Sequence, residues 1–247
     1  MTFRDHFSSA SPAYAAFRPT YPAELFRMLA ERAPGRRLAW DCATGSGQAA
    51  LGLAGQFKRV VATDASRAQV ASATPHPAVA YRVAPAEASG LADGTVDLVT
   101  AAQALHWFDI PGFFAEARRV LVPRGAIAVW CYGLMTISPE VDREVARFYS
   151  ETVGPYWPTE RALVEAGYRT IDFPFEEFPV PEMAIEAQFD LRRLAGYLGT
   201  WSATLRFRED QGADPVGPLI DSLRSLWGPS EQGRAVRWPL SIRAGYA

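Results

Sequence analysis

Two glycines one residue apart, Gly45 and Gly47, separate a short apolar run, Leu38 to Cys42, from a segment of helical character that starts at Gln48. Glycine has no Cβ, so such a turn can bring main chain against a ligand. A strand, a glycine turn and a helix start together make a nucleotide-type crevice. Ala50 completes a Gly-x-Gly-x-x-Ala pattern, which also fits the dinucleotide fingerprint and leaves an NAD-type cofactor as an alternative here. Asp64 lies 19 residues past Gly45, near the spacing of about 20 for a carboxylate that accepts ribose hydroxyls. A bare Asp ahead of a capped helix is more often a turn residue; the register with the glycine turn makes Asp64 a binding candidate.

His106, in Gln103-Ala-Leu-His-Trp-Phe108, can serve as a base for a phenol, amine or alcohol, or as a neutral hydrogen-bonding wall. Standing alone beside aromatics, it reads as wall. Arg18 between Tyr14 and Tyr21 can clamp a carboxylate, although an ordinary surface loop is the simpler reading. Lys58 is the sole lysine, in a surface connection, which removes P-loop, Schiff-base and Tyr-x-x-x-Lys chemistries. Cys42 and Cys131 with His6, His76 and His106 do not make a structural zinc set. Both thiols fall in predicted strands. With one strand between theirs, their Cα atoms would be ~9–10 Å apart, beyond the ~7 Å limit for a bridge.

These residues are positioned by an alternating series. Apolar runs predict strands over Leu38–Cys42, Arg59–Thr63, Val79–Val83, Asp97–Ala101 and Ala126–Cys131. Helices are expected before the first strand (with Pro22 at its start), over Gln48–Ala54, from the Ser66 cap to Ala73, and from Asp109 to Leu121, with Pro123-Arg124-Gly125 as a turn. The order β-α-β-α-β-β-α-β argues for a doubly wound, mostly parallel sheet. Past Tyr132 the alternation is lost. Helices are expected from Ser138 to Glu151, from Thr159 to Gly167, over Leu191–Arg208 and over Pro218–Trp227, with strands at Ile171–Phe178 and Ala235–Arg243. Tyr156-Trp157-Pro158 reads as an aromatic loop.

With 247 residues, 49% hydrophobic and 21% charged, the chain is expected to form one elaborated domain: 1–35 as an N-terminal cap, 36–132 as the cofactor core, 133–247 as the substrate side. A net charge of −2 offers nothing for nucleic acid or a membrane surface. No apolar core marks the first residues as a signal peptide, and no run spans a bilayer, so a cytoplasmic protein is expected.

Together the residues resemble the class I S-adenosylmethionine-dependent methyltransferases of the type-11 kind. The likeness lies in Asp41, Gly45-Gly47, Asp64, Ala86-Glu87 and Pro123-Arg124-Gly125, over Leu38 to Cys131. Tyr14…Arg18-Pro19…Tyr21-Pro22, Gln103…His106-Trp107-Phe108, Tyr197-Leu198…Thr200-Trp201-Ser202 and Trp238-Pro239-Leu240 narrow it to a group similar to trans-aconitate methyltransferase.

The resemblance implies an α/β, Rossmann-like doubly wound seven-stranded sheet in the order 3-2-1-4-5-7-6 with a C-terminal helical insertion. It also implies S-adenosylmethionine bound by Tyr14, Arg18, Asp41, Ala43, Gly45, Gly47, Asp64, Ala65, Ala86, Glu87 and Gln103, with Asp41 and Gln103 lining the ammonium and sulfonium region. Trp107, Tyr132, Trp157, Trp201 and Arg206 would face a small-molecule acceptor, with a carboxylate as one candidate, and His106 would be the candidate catalytic group, in a monomer or homodimer. Aromatics at such spacings are commonly core. Of Arg192, Arg193, Arg206 and Arg208 most are expected to be solvated, and Arg206 and Arg208 cannot share a helix face. Ala43 replaces a glycine common in relatives, which is tolerable if φ there is negative; Pro85 replaces an Asp or Thr, leaving adenine to the Ala86 amide and Glu87. A binding protein without turnover is the third reading.

Overall fold

The computed structural model describes Phe17 and residues 19–247. Tyr14, Arg18 and His6 lie outside the described residues. Five parallel strands form the centre: β1 (Leu38–Cys42), β2 (Arg59–Asp64), β3 (Val79–Val83), β4 (Val96–Ala102) and β5 (Leu121–Tyr132). Four of β1's five residues and six of β4's seven are buried, as strands covered on both faces must be. Helices α1 (Ala23–Arg32) and α2 (Gln48–Ala54) cover one face through Leu25, Phe26, Leu29, Ala50 and Leu53. Helix α3 (Arg67–Ser72) follows β2, its first turn capped by Ser66. On the other face α4 (Ile110–Val120) lays Phe113, Phe114 and Ala117 against Trp40, Val99 and Ile127.

The remaining elements are 3₁₀ turns over Leu105–Trp107 and Gly154–Tyr156, α5 (Pro139–Arg147), a π-helical turn over Phe148–Thr152, α6 (Arg161–Glu165), β6 (Glu176–Glu177), β7 (Ala184–Phe189), α7 (Leu191–Gly199), α8 (Ser202–Gln211), α9 (Val216–Trp227) and β8 (Arg234–Tyr246). The sheet runs β3-β2-β1-β4-β5-β8-β6, with β7 on β8. The path is the expected one, but there are eight strands rather than seven. The extra strand exists because β8 is long: Leu240 to Tyr246 pairs antiparallel with β5, and Arg234 to Pro239 pairs with β7. The last strand thereby leaves the core sheet and enters the roof. Trp238 fixes that crossing, since its indole N–H donates to the Tyr197 hydroxyl of α7 at 3.0 Å.

Several boundaries differ from expectation for local reasons. The stretch Leu191 to Arg208 is two helices, because the Thr200 hydroxyl bonds back to the Tyr197 carbonyl at 2.6 Å and Trp201 turns extended to bury its ring. Pro123-Arg124-Gly125 is a bulge inside β5, with Arg124 at φ +63°, and not a free turn. The expected strand Ile171–Phe178 shrinks to β6, since Phe173 and Phe175 turn into the core and the Pro174 carbonyl accepts from Arg118. The helix after Ser138 loosens into the π turn at Phe148 instead of continuing to Glu151. Cys42 and Cys131 are buried and unbridged, with β4 between their strands. Among the described residues no helix is long and apolar enough to cross a membrane.

Candidate active site

The loop from β1 to α2 alternates through left-handed backbone, with φ +52° at Ala43, +56° at Gly45 and +90° at Gly47. At Gly47 a Cβ would sit 2.3 Å from the Tyr81 hydroxyl, so glycine is required on two counts. Ala43 is the exception. Its φ is positive, contrary to the expectation on which the loss of glycine was tolerable, and left-handed backbone costs an L-residue roughly 1–2 kcal/mol. Ala43→Gly is expected to raise stability in urea unfolding by about 0.5–1 kcal/mol, once the freedom glycine adds to the unfolded chain is set against the relief. An unchanged or lower midpoint would show that the loop carries no strain there.

Asp64, at the end of β2, binds that loop to its own strand. Its carboxylate accepts from the Gly45 amide at 2.9 Å and the Ser66 amide at 2.8 Å. Ala65 beside it is half-buried. Asp41 lies differently from expectation: it is fully buried beneath the loop rather than lining the ammonium and sulfonium region, accepting from the Thr44 hydroxyl at 2.6 Å and the Thr100 hydroxyl at 2.8 Å. Burial pushes its carboxyl up from 3.8 to about 6, against the pull of those hydrogen bonds. Past β3, Ala86 is buried and Glu87 exposed, its carboxylate accepting from the Asp109 amide at 3.3 Å. Glu116 of α4 holds the same segment by accepting from the Ser89 amide and hydroxyl, and hydrogen bonds from Arg119 keep its carboxyl down at about 2.

Gln103 ends β4 in left-handed backbone, φ +55°. Its side chain clasps the end of β5, accepting from the Tyr132 amide at 2.8 Å and donating to the Tyr132 carbonyl at 3.1 Å. Beside it opens a cavity of about 70 Å³ between the sheet and the roof. Gln103, His106, Trp107, Tyr132, Trp157 and Trp201 all line it, together with Gly133, Arg161, Tyr197 and Ser202. Arg206 does not; it donates to the Tyr156 carbonyl at 3.3 Å and so holds the loop that carries Trp157. Arg192 is exposed, Arg193 stacks on Phe189, and Arg208 pairs with Asp214.

The arginine at the cavity is one the sequence reading passed over. Arg161 of α6 stacks on Trp157 with 4.6 Å from guanidinium to ring centroid, and donates from Nε to the Tyr149 hydroxyl at 2.8 Å. Tyr149 in turn bonds Glu165, so the arginine meets a phenol and reaches the carboxylate only through it. Among the described residues no carboxylate forms an ion pair with it. The stack spans the bend from extended Trp157 through Pro158 into α6, so no helical spacing along the sequence marked it. His106 is buried, with Nδ1 2.9 Å from the Tyr168 hydroxyl. Burial, and next the charge of Arg161, lower its pKa from 6.5 to about 3, so the ring is neutral at physiological pH.

A family model described as a methyltransferase domain matches residues 40–129. A Dictyostelium discoideum protein described as a methyltransferase is 36% identical over 225 residues, 90% of this chain and 86% of that one. The chain belongs to the S-adenosylmethionine-dependent methyltransferases. A solved structure from Anaeromyxobacter dehalogenans, described as a type II methyltransferase, is 49% identical to this methyltransferase, with a TM-score of 0.88 over 93% of this chain and 97% of its own. The [4+2]-cyclase SpnF is 16% identical with a TM-score of 0.52 over 95% of this chain and 93% of its own, a likeness of fold alone. Fold does not select a reaction; the relatives at higher identity do, and they set the NAD-type reading aside.

The methyltransferase uses S-adenosylmethionine, which supplies an electrophilic methyl group on a sulfonium. The crevice suits that cation. Asp41 stands one residue before the end of β1 and Asp64 ends the adjacent β2, and among the described residues a Cβ on Gly45 would meet nothing nearer than the Gln69 side chain at 3.8 Å, leaving room above the turn.

Proposed function

We propose that the methyltransferase acts on a small anionic acceptor, a carboxylate, seated between the carboxyl ends of β4 and β5 and the helical roof. The observation that carries this reading is Arg161, a cation at the cavity wall with no ion-pair partner among the described residues. Arginine presents a planar fork that matches a carboxylate, and stacking on Trp157 fixes its plane. The likeness to the trans-aconitate methyltransferase group supports the same acceptor class. The net charge of −2 favours a small metabolite over nucleic acid.

On the cofactor side, Asp64 accepts the ribose hydroxyls, the Gly45–Gly47 turn passes under the methionine portion, and the Ala86 amide with Glu87 meets the adenine. Arg161 holds the acceptor, the aromatic walls exclude water, and the Gln103 clasp keeps the two strand ends in register. Alignment of this kind supplies effective molarities of ~10⁵–10⁸ M. A carboxylate with pKa near ~4 is already ionised and needs no base.

A methyl-release assay over small carboxylic acids, amines and phenols tests the reading. Turnover of at least one carboxylic acid, and of no amine, is expected. Turnover of amines alone would remove the anionic acceptor, and no turnover with tight cofactor binding would favour a binding protein. Asp64→Ala is expected to weaken S-adenosylhomocysteine binding in calorimetry by ~1.5–3 kcal/mol, roughly tenfold to a hundredfold. An unchanged affinity would place the ribose elsewhere.

A further inference from the structure

Tyr168 follows α6, and its backbone is in the left-handed region, φ +60°, directly after Gly167 at φ +59°. That conformation is rare for a bulky residue and persists only when its surroundings enforce it. Here three bonds do. The Gly167 and Tyr168 amides donate to the Val164 and Leu163 carbonyls at 2.9 Å each, and Arg243 of β8 donates to the Tyr168 carbonyl at 3.1 Å. The result is a fully buried ring whose hydroxyl lies 2.9 Å from Nδ1 of His106, the residue that lines the cavity beside Arg161.

We propose that Tyr168 is a positioning residue that holds His106 as its Nε2–H tautomer, so that His106 presents a hydrogen-bond donor to the acceptor and not a base. A phenol carries one proton and two lone pairs. Among the described residues the hydrogen-bond partner of the buried Tyr168 hydroxyl is Nδ1 of His106, so a hydroxyl that accepted from an Nδ1–H would leave its own proton buried without an acceptor. Its proton is therefore directed at Nδ1, and the ring hydrogen resides on Nε2. The groups facing this pair are Arg161, whose charge opposes an imidazolium, and Cys131, whose thiol burial pushes up to about 12. His106 therefore stays neutral.

Two donors, Arg161 and Nε2–H, then face the acceptor. An oxygen with lone pairs and no proton satisfies both, whereas an ammonium would set N–H against N–H. This step rests on the carboxylate reading, and it balances without a base. The acceptor oxygen's lone pair forms the new O–CH₃ bond, the pair of the broken S–CH₃ bond stays on sulfur, and the two opposite charges cancel with no proton released.

Nitrogen-15 spectra of the whole chain labelled in histidine, recorded without acceptor, test the tautomer independently of the carboxylate reading. Comparison with His106→Gln identifies the His106 signals. The expected result is one pyridine-type and one pyrrole-type nitrogen in wild type, with the proton on Nε2, unchanged from pH 5 to 9. In Tyr168→Phe the second tautomer is expected to appear, with the His76 signals unmoved. A proton on Nδ1, or an imidazolium in that pH range, would overturn the assignment. So would a Tyr168→Phe spectrum identical to wild type. Should that variant not fold, the wild-type spectrum still decides between donor and base.

Discussion

Arg161→Ala is expected to raise KM for the acceptor roughly tenfold to a hundredfold while leaving cofactor affinity unaltered. The charged hydrogen bonds that a guanidinium makes to a carboxylate are worth ~1.5–3 kcal/mol, and losing them from ground state and transition state alike moves KM rather than kcat. Arg161→Lys should recover only part of the loss, because an ammonium keeps the charge but neither the fork nor the stack on Trp157. A second readout accompanies the first. Arg161 is one of the two causes that lower the His106 pKa, and burial is the larger. In the alanine variant that pKa should rise yet stay below its ordinary 6.5, so His106 remains neutral at pH 7.5. Steady-state kinetics on an identified acceptor, with calorimetry on S-adenosylhomocysteine, make the comparison. An unchanged KM would leave Arg161 as a structural partner of Tyr149 and Trp157.

The choice of Arg161 over Arg206 shows where sequence reasoning stopped. The first five strands were legible because each is a short apolar run bounded by polar or turn residues, and the glycine turn, Asp64 and the Ala86-Glu87 step carry fixed spacings along them. The roof had no such ruler. Strand β7 alternates, but with Ala and Glu in three of its six places, and it is fixed by pairing to β8 rather than by its own pattern. Trp201 breaks what reads as one helix because its ring is taken up among Phe148, Tyr149, Trp157 and Tyr197. That break turns Arg206 towards the Tyr156 carbonyl. The place at the cavity fell to an arginine on a five-residue helix too short to show periodicity. The six other candidate wall residues reached the cavity because each lies at the end of a strand or on a loop next to one, or was an aromatic in the roof. The sign of φ at Ala43 is set by the geometry of the whole turn, which no single residue announces.

Asp41→Asn is expected to stabilise the protein at pH 8 by about 1–3 kcal/mol, by roughly half as much near pH 5 and not at all below the unfolded value of 3.8, and to weaken cofactor binding. Asp41 is fully buried, and burial raises its folded-state pKa from 3.8 to about 6. A carboxyl raised in this way contributes stability that is fully present below the unfolded value and is lost as pH rises through the folded one. Above about pH 6 the native state therefore holds an ionised carboxylate that the solvated unfolded chain carries at lower cost. Asparagine removes the charge and fits the same partners. The Thr44 hydroxyl still donates to its carbonyl, while Thr100, whose hydroxyl also lies 3.5 Å from the Trp40 carbonyl, can donate there and accept from the new amide. The charge so removed sits beneath the Gly45–Gly47 turn, across that turn from where the proposed reading places the cationic end of S-adenosylmethionine, and a carboxylate there favours, through its field, a sulfonium and an ammonium over neutral groups. On that account wild-type affinity for the cofactor should also fall as pH drops below about 6, while the asparagine variant, weaker throughout, should show no such slope. Urea unfolding at pH 5 and pH 8, with calorimetry at both, separates the effects. A stability gain of equal size at the two pH values would mean that Asp41 is not the buried charge that sets the slope.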